Sequence, residues 1–174
     1  RDVATLLQRA ELLARISEEI EQYLVELGAD GRLVRLQLRE LMAGVDDERR
    51  MVVRDYFQSD TSWDLEQAIE TLSDMDVDDL LDAGAVAKSL HLTSQTDDID
   101  ETIQPRGYRM LARIQRLPED LPDRLVAHCG SLEKMSRATV DELADIDGVG
   151  EHWAHIVKDA LARIAESSIL DRYA

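Results

Sequence analysis

Apolar side chains recur at Val3, Leu6, Ala10, Leu13, Ile20, Leu24 and Leu27, in steps of three and four, with Ser17 filling the one polar place. A strand exposes its faces with a period of two, so this stripe commits the first 27 residues to a helix of about 40 Å at 1.5 Å per residue. Glu11, Arg15, Glu18 and Glu19 lie largely off the seam. The stripe is read as an internal packing face, and the alternative is the seam of a coiled-coil dimer. Gly28 and the Asp30-Gly31 pair end the helix, and RLVRLQLRELM begins a second one with Leu33, Leu36 and Leu41 inward. After Gly44, DDERRMVVRDYF places acids in the first turn and apolar Met51, Val52, Tyr56 and Phe57 behind them, a third helix with a favourable dipole.

The rest of the chain stays helical in pattern. Aromatic residues are 4% of it and Pro occurs three times, a usage that suits helices over sheets. Residues 59–92 read as short helices capped by Ser62 and by Ser73 or Asp74, with Leu65, Ile69, Leu72, Leu80, Leu81 and Val86 buried. Asp74, Asp76 and Asp78 invite a calcium loop, but the sixth and twelfth positions, which need Gly and Glu, hold Asp79 and Ala85. The run is read as solvated and helix-capping. Residues 93–105 are polar and acidic and read as a linker. The expected organisation is all-α: an acidic helical-bundle spine over residues 1–92, the linker, and a second domain over residues 106–174.

Charge separates the two parts. Residues 1–104 hold ten Lys/Arg against twenty-five Asp/Glu, and residues 105–174 hold ten against twelve, within a formal net charge of −17. Nucleic-acid affinity comes largely from Lys and Arg displacing counterions, so any DNA contact falls to residues 105–174. One cysteine, Cys129, excludes an internal disulfide. No apolar run approaches the roughly 18–20 residues that cross a bilayer, and the expected setting is cytoplasmic, with no membrane partner. The chain opens at Arg1, without Met and without a cap before its helical pattern, and is read as a piece of something longer.

In the second domain, Arg106, Arg109, Arg113 and Arg116 fall within an arc of about 80° if they share one helix at 100° per residue. They are read as phosphate contacts, with a solvated face paired to Glu119, Asp120 and Asp123 as the alternative. The skeleton Leu143, Ile146, Gly148, Val149, Gly150, Ala154, Ile156 and Leu161 is that of a helix-hairpin-helix. Gly148 and Gly150 permit the tight turn and close approach to a phosphate, Val149 plugs the turn into the core, and Ala154 lets the helices pack. Amides at the helix start after Gly150 then point at an anion, reading backbone and not sequence. A compact connection without a ligand is the alternative, because Asp147 and Glu151 flank the glycines. Lys158 and the arginines would supply the positive charge. His152 and His155 have no third ligand beside them and are read as surface or phosphate-adjacent groups, not a metal pair. The segment from Ile114 to Met135 repeats the design, with LPED in place of a glycine turn, and the whole resembles a small paired helix-hairpin-helix domain, RuvA C-terminal-like, of branch-migration and structure-selective repair proteins. The candidate DNA-binding residues are Arg106, Arg109, Arg113, Arg116, Gly148, Val149, Gly150, His152 and Lys158.

With LLQRAELLARISEEIEQYLVELGADGRLVRLQLRELMAGVDDERRMVVRDY, PRGYRMLARIQRLP, the hairpin and LARIAESSILDRY in this order, the chain resembles the two carboxy-terminal domains of the bacterial DNA integrity scanning (DisA) family. The resemblance implies an amino-terminal diadenylate cyclase that joins two ATP into cyclic di-AMP with Mg or Mn. It also implies an octamer, and a cyclase suppressed by branched DNA such as a Holliday junction. The cyclase's Asp-Gly-Ala and Arg-His-Arg do not occur here: Arg32 follows Asp30-Gly31, and no His lies between arginines. No catalytic residue, metal or cofactor is assigned to this chain. The rival expectation is a non-catalytic oligomerisation or protein-interaction scaffold with a purely structural hairpin, and an accessory domain of a structure-specific nuclease is a third.

Overall fold

The computed structural model describes residues 1–56, 65–92 and 102–173, with side chains described as far as residue 166. Among these, regular structure is entirely helical, and the chain divides into two compact units, Arg1–Ile103 and Gln104–Ala174. The Ser62 cap, Phe57 and most of the expected linker fall outside the described residues.

The first unit is built on α1 (Asp2–Glu26), against which α2 (Arg32–Met42), α3 (Val45–Tyr56) and α6 (Ala83–Ser89) pack, with α4 (Leu65–Asp74) on α3 and α5 (Val77–Leu81) on α6. Its core joins Ala4 and Leu7 to Val53, Leu72, Leu80 and Val86. Leu65 is partly buried there, but Leu81 stays 58% exposed.

The face of α1 that is buried differs from the expected stripe. Ala4, Leu7 and Glu11 turn inward together with Leu24, whereas Leu6, Leu13, Ile20 and Leu27 are exposed. The cause is polar. Glu11, only 2% exposed, accepts from the Arg49 guanidinium of α3 and, at 3.0 Å, from Arg15 Nε. The Nη2 group of Arg15 then donates to the carbonyls of Leu72, Ser73 and Met75 at 3.2, 2.9 and 2.8 Å, capping the end of α4. Asp46, one turn before Arg49, accepts from it at 2.6 Å and from Arg50 at 3.0 Å, and those guanidinium bonds, Arg50's foremost, hold its carboxyl below the usual range. Burying an ion costs far more than burying a leucine unless every partner is supplied. Supplying most of them, the Arg49 Nε alone being left without a described partner, requires the Glu11 side of α1 to face α3 and α4, which rotates the leucine stripe outward.

α2 departs in the same sense, for Leu33, Leu36 and Leu41 are 67%, 59% and 76% exposed and the helix buries no residue. It is tied to α1 by Arg35 Nη2 donating to the Leu24 carbonyl at 2.7 Å and by the exposed Arg39–Glu21 pair. The turn between them needs Gly31, where a Cβ would lie 2.9 Å from the Leu24 carbonyl oxygen. The expected Ser73 or Asp74 cap is replaced by Asp76, which accepts from the Asp78 N–H to cap α5, and Asp82 caps α6 by accepting from the Gly84 N–H. Two acids of this run, Asp76 and Asp82, therefore start helices.

The second unit runs α7 (Tyr108–Leu111), α8 (Leu121–Cys129), α9 (Leu132–Arg137), α10 (Val140–Ala144) and α11 (Gly150–Tyr173). Ser131 caps α9, and Thr139 with Glu142 forms a capping box on α10. Leu111, Leu125, Met135, Leu143, Ala154 and Val157 form its fully buried centre.

Replacing Glu11 by Gln leaves two guanidinium groups without their shared carboxylate. The expected loss is about 3–5 kcal/mol of unfolding free energy, the usual consequence of breaking a buried pair from one side. Urea denaturation measures it, and a loss below about 1 kcal/mol, the scale of a surface pair, contradicts the central role given to Glu11.

Candidate nucleic-acid interface

The four arginines do not share a helix. α7 ends at Leu111, and the chain then turns through Ala112–Leu117, so the expected single stripe is broken after Arg109. Arg106 is half-buried, its guanidinium carbon 5.3 Å from the centre of the Tyr108 ring, and Arg109 is half-buried as well. Arg113 and Arg116 are exposed. The reason for the break is a tight turn that centres on Arg116, one of two non-glycine residues described with positive φ, at +61°.

That turn is the counterpart of the glycine hairpin. In the second hairpin Ile146 N–H donates to the Leu143 carbonyl at 3.3 Å and Val149 N–H to the Ile146 carbonyl at 3.0 Å. In the first, Ile114 N–H donates to the Leu111 carbonyl at 3.0 Å and Leu117 N–H to the Ile114 carbonyl at 3.4 Å. Every position is displaced by 32 residues, so Arg116 stands where Gly148 stands, and Gly148 is itself left-handed with φ +81°. Leu111 and Leu143 are both fully buried, and Ile114 and Ile146 nearly so. The first hairpin is therefore Leu111–Pro118, centred on Arg116, and LPED only overlaps its end. Neither the Arg116 nor the Gly148 N–H donates to another described residue. An N–H left over beside a left-handed residue is the element of an anion-binding nest. Pro118 matches Gly150 and has no N–H to add, so the first turn has fewer donors and, instead, a guanidinium.

Around the glycine turn, Val149 is 3% exposed and Ala154 fully buried under α10, and Gly150 is left-handed with φ +63° where α11 begins. His152 is exposed and meets Trp153 edge-on at 5.1 Å, and His155 is exposed too. Lys158 is two turns along α11, and its ammonium donates to the Ser136 carbonyl at 2.6 Å, closing the end of α9. The residue missed by the sequence reading is Arg124 of α8. Its Nε donates to Asp120 at 3.0 Å and its Nη1 to the Asp147 carbonyl and carboxylate at 2.9 and 3.1 Å. The only local signal was the Asp120–Arg124 spacing of four, which reads as an ordinary exposed helix pair.

Among the described residues of this unit, Glu142 and Cys129 are displaced. Thr139, by its backbone N–H and then its hydroxyl, holds the Glu142 carboxyl below its ordinary 4.5, with smaller help from His128 and Lys158. The box is thus present above pH 4.5 and is lost as pH falls through the lower native value. Burial pushes the Cys129 thiol up, which makes it a poor nucleophile. No group of three His, Cys, Asp or Glu that could hold a metal ion occurs among the described residues, and no described helix is long and apolar enough to cross a membrane.

Comparison with known proteins bears on the whole chain. Residues 1–99 match a family model described as the DisA bacterial checkpoint controller linker region. The chain is 49% identical over 174 residues to DNA integrity scanning protein DisA of Frankia alni, covering 99% of this chain and 48% of that one. The protein of that name from Streptomyces avermitilis is 48% identical over 176 residues, at 99% and 47% coverage, and that of Kineococcus radiotolerans is 45% identical over 174, at 99% and 48%. The chain spans about half the length of the curated relatives it matches.

Holding an L-residue left-handed costs roughly 1–2 kcal/mol, most for a β-branched side chain. Arg116→Gly is expected to leave the unfolding free energy unchanged or raised by up to about 1 kcal/mol, and Arg116→Val to lower it by about 1–2 kcal/mol. Denaturant titration of the two variants checks the strain, and equal stabilities contradict it.

Proposed function

We propose, from the premise that this chain belongs to the DisA bacterial checkpoint controller linker family, that it is the DNA-contacting and positioning part of a DNA integrity scanning protein. The observation that carries the reading is the pair of equivalent turns, each with an unengaged N–H at its left-handed residue, Arg116 and Gly148. Paired turns suit two sugar-phosphate backbones, as where helices meet in branched DNA such as a Holliday junction. Gly148 and Gly150 offer backbone donors, with Val149 plugging the turn into the core and His152 beside them. Arg113 and Arg116 offer guanidinium groups to the second backbone, while Arg106, Arg109 and Lys158 brace the fold around them.

Residues 1–103 carry twenty-five acids against ten basic residues, and such a field turns a phosphate backbone away from the first unit and toward the second. Under this reading the first unit is a spine. The half of the relatives' length that this chain does not span then carries the cyclic di-AMP synthesis by a diadenylate cyclase, with Mg or Mn and ATP, that DNA at the hairpins regulates. The setting is cytoplasmic.

A second reading is favoured by α1. Leu6, Leu13, Ile16, Ile20 and Tyr23 are 45%, 50%, 51%, 38% and 60% exposed, an apolar stripe interrupted only by Arg9 and of the kind that marks an interface. The occupant we propose is a second copy of the chain, which makes the spine a homo-oligomer contact beside the octamer that the family resemblance implies through the amino-terminal domain.

Fluorescence anisotropy at low salt is expected to show binding to a four-way junction that weakens steeply with salt. Replacing Arg113 and Arg116 by Gln is expected to reduce the log–log salt slope by about one to two, roughly 0.9 for each phosphate no longer neutralised. No binding, or binding indifferent to both arginines, removes the DNA-contact reading. In light scattering the mass is expected to rise with concentration, and Leu13→Glu with Ile20→Glu to hold the chain monomeric. A constant monomer mass removes the second-copy reading.

A further inference from the structure

We infer that Arg124 is a positioning residue that clamps the second hairpin turn to the start of the helix leaving the first hairpin, an inference that rests on the DNA-contact reading for its functional consequence. α8 begins directly after the first hairpin, and Arg124 sits in its first turn. The guanidinium reaches back to Asp120 at 3.0 Å and across to Asp147, where it donates to both the carbonyl oxygen and a carboxylate oxygen. It also lies close over Gly148: a Cβ there would sit 2.7 Å from Nη1 and 2.9 Å from the guanidinium carbon. Gly148 thus adopts its positive φ without strain and leaves room for the guanidinium, which a side chain there would push aside.

Two consequences follow from the geometry. A trans peptide points its C=O and N–H in opposite directions, so fixing the Asp147 carbonyl toward Arg124 fixes the Gly148 N–H away from it, free of any described partner. The clamp therefore aims the donor that the hairpin presents. Asp120 and Asp147 are also 65% and 103% exposed at their side chains, and each would repel a phosphate arriving at the turns. Arg124, 40% exposed, draws both toward one planar fork. Exposed pairs like these contribute little to folding, so the arrangement matters for where charge and donors point.

The test compares Arg124→Ala, Arg124→Lys and the double variant Arg124→Ala with Asp147→Asn, in the chain as it stands. Junction affinity by anisotropy is expected to fall about tenfold in Arg124→Ala, the scale of coupling within one network, with the salt slope unchanged. Arg124→Lys is expected to fall nearly as far, because a point charge does not fork between the acids, and Asp147→Asn is expected to return part of the loss. A salt slope reduced by about one, with no recovery from Asp147→Asn, overturns positioning and makes Arg124 a phosphate contact itself. Amide exchange by NMR without DNA supplies the independent arm. The Val149 N–H, bonded to the Ile146 carbonyl at 3.0 Å, is expected to exchange about tenfold faster in Arg124→Ala. Unchanged exchange overturns the clamp whatever the DNA result, whereas a wild-type chain that binds no junction removes the DNA-contact reading and leaves the exchange result to decide the clamp.

Discussion

One carboxylate organises the first unit. Glu11 accepts from Arg49 on α3 and from Arg15 on its own helix, and Arg15 carries the connection on to the open carbonyls that end α4. Three helices are thereby held by directional bonds, where an apolar core of Leu7, Leu72 and Leu80 alone would allow α1 to turn about its axis. Leucine contacts are non-directional and favour burial of either stripe. Buried charge has far fewer acceptable arrangements, because any rotation that strands a guanidinium costs several kcal/mol. The polar set fixes the register, and the apolar set fills it.

The second unit uses a different device, repetition with substitution. Its two turns share their hydrogen bonds and their buried residues at a spacing of 32, yet differ in what they present, at Arg116 against Gly148 and at Pro118 against Gly150. Gly148 offers bare backbone, with room for Arg124 to lie across it, while Arg116 brings a long cationic side chain into the same left-handed conformation. A glycine at the first turn would relieve the backbone but remove the charge. The acids that follow, Glu119 and Asp120, do not leave that turn acidic in the way composition suggests, because Asp120 is drawn to Arg124.

The helical class, the left-handed turn at Gly148 and Gly150 and the inward Val149 and Ala154 were legible in the sequence, because each depends on local chemistry. What was not legible depended on partners distant in the chain. Glu11 reads as a surface acid, since the rule that charges stay outside is a statistical one that a paired, buried ion escapes. The outward turn of Leu13 and Ile20 follows from its burial and is hidden with it. Arg116 reads as part of a regular helix because no residue type except glycine announces a left-handed backbone. The repeat Leu111, Ile114, Leu117 against Leu143, Ile146, Val149 is present in the sequence, but without a glycine in the first turn nothing marks where that turn falls.

α2 buries no side chain and is held to α1 chiefly by the Arg35 and Arg39 contacts and by its backbone turn at Gly31. Its opening uncovers only the half-buried Leu38 and Met42 and its contact with α1, so it costs less than opening a helix that fills the core, and α2 unfolds locally before the rest of the unit does.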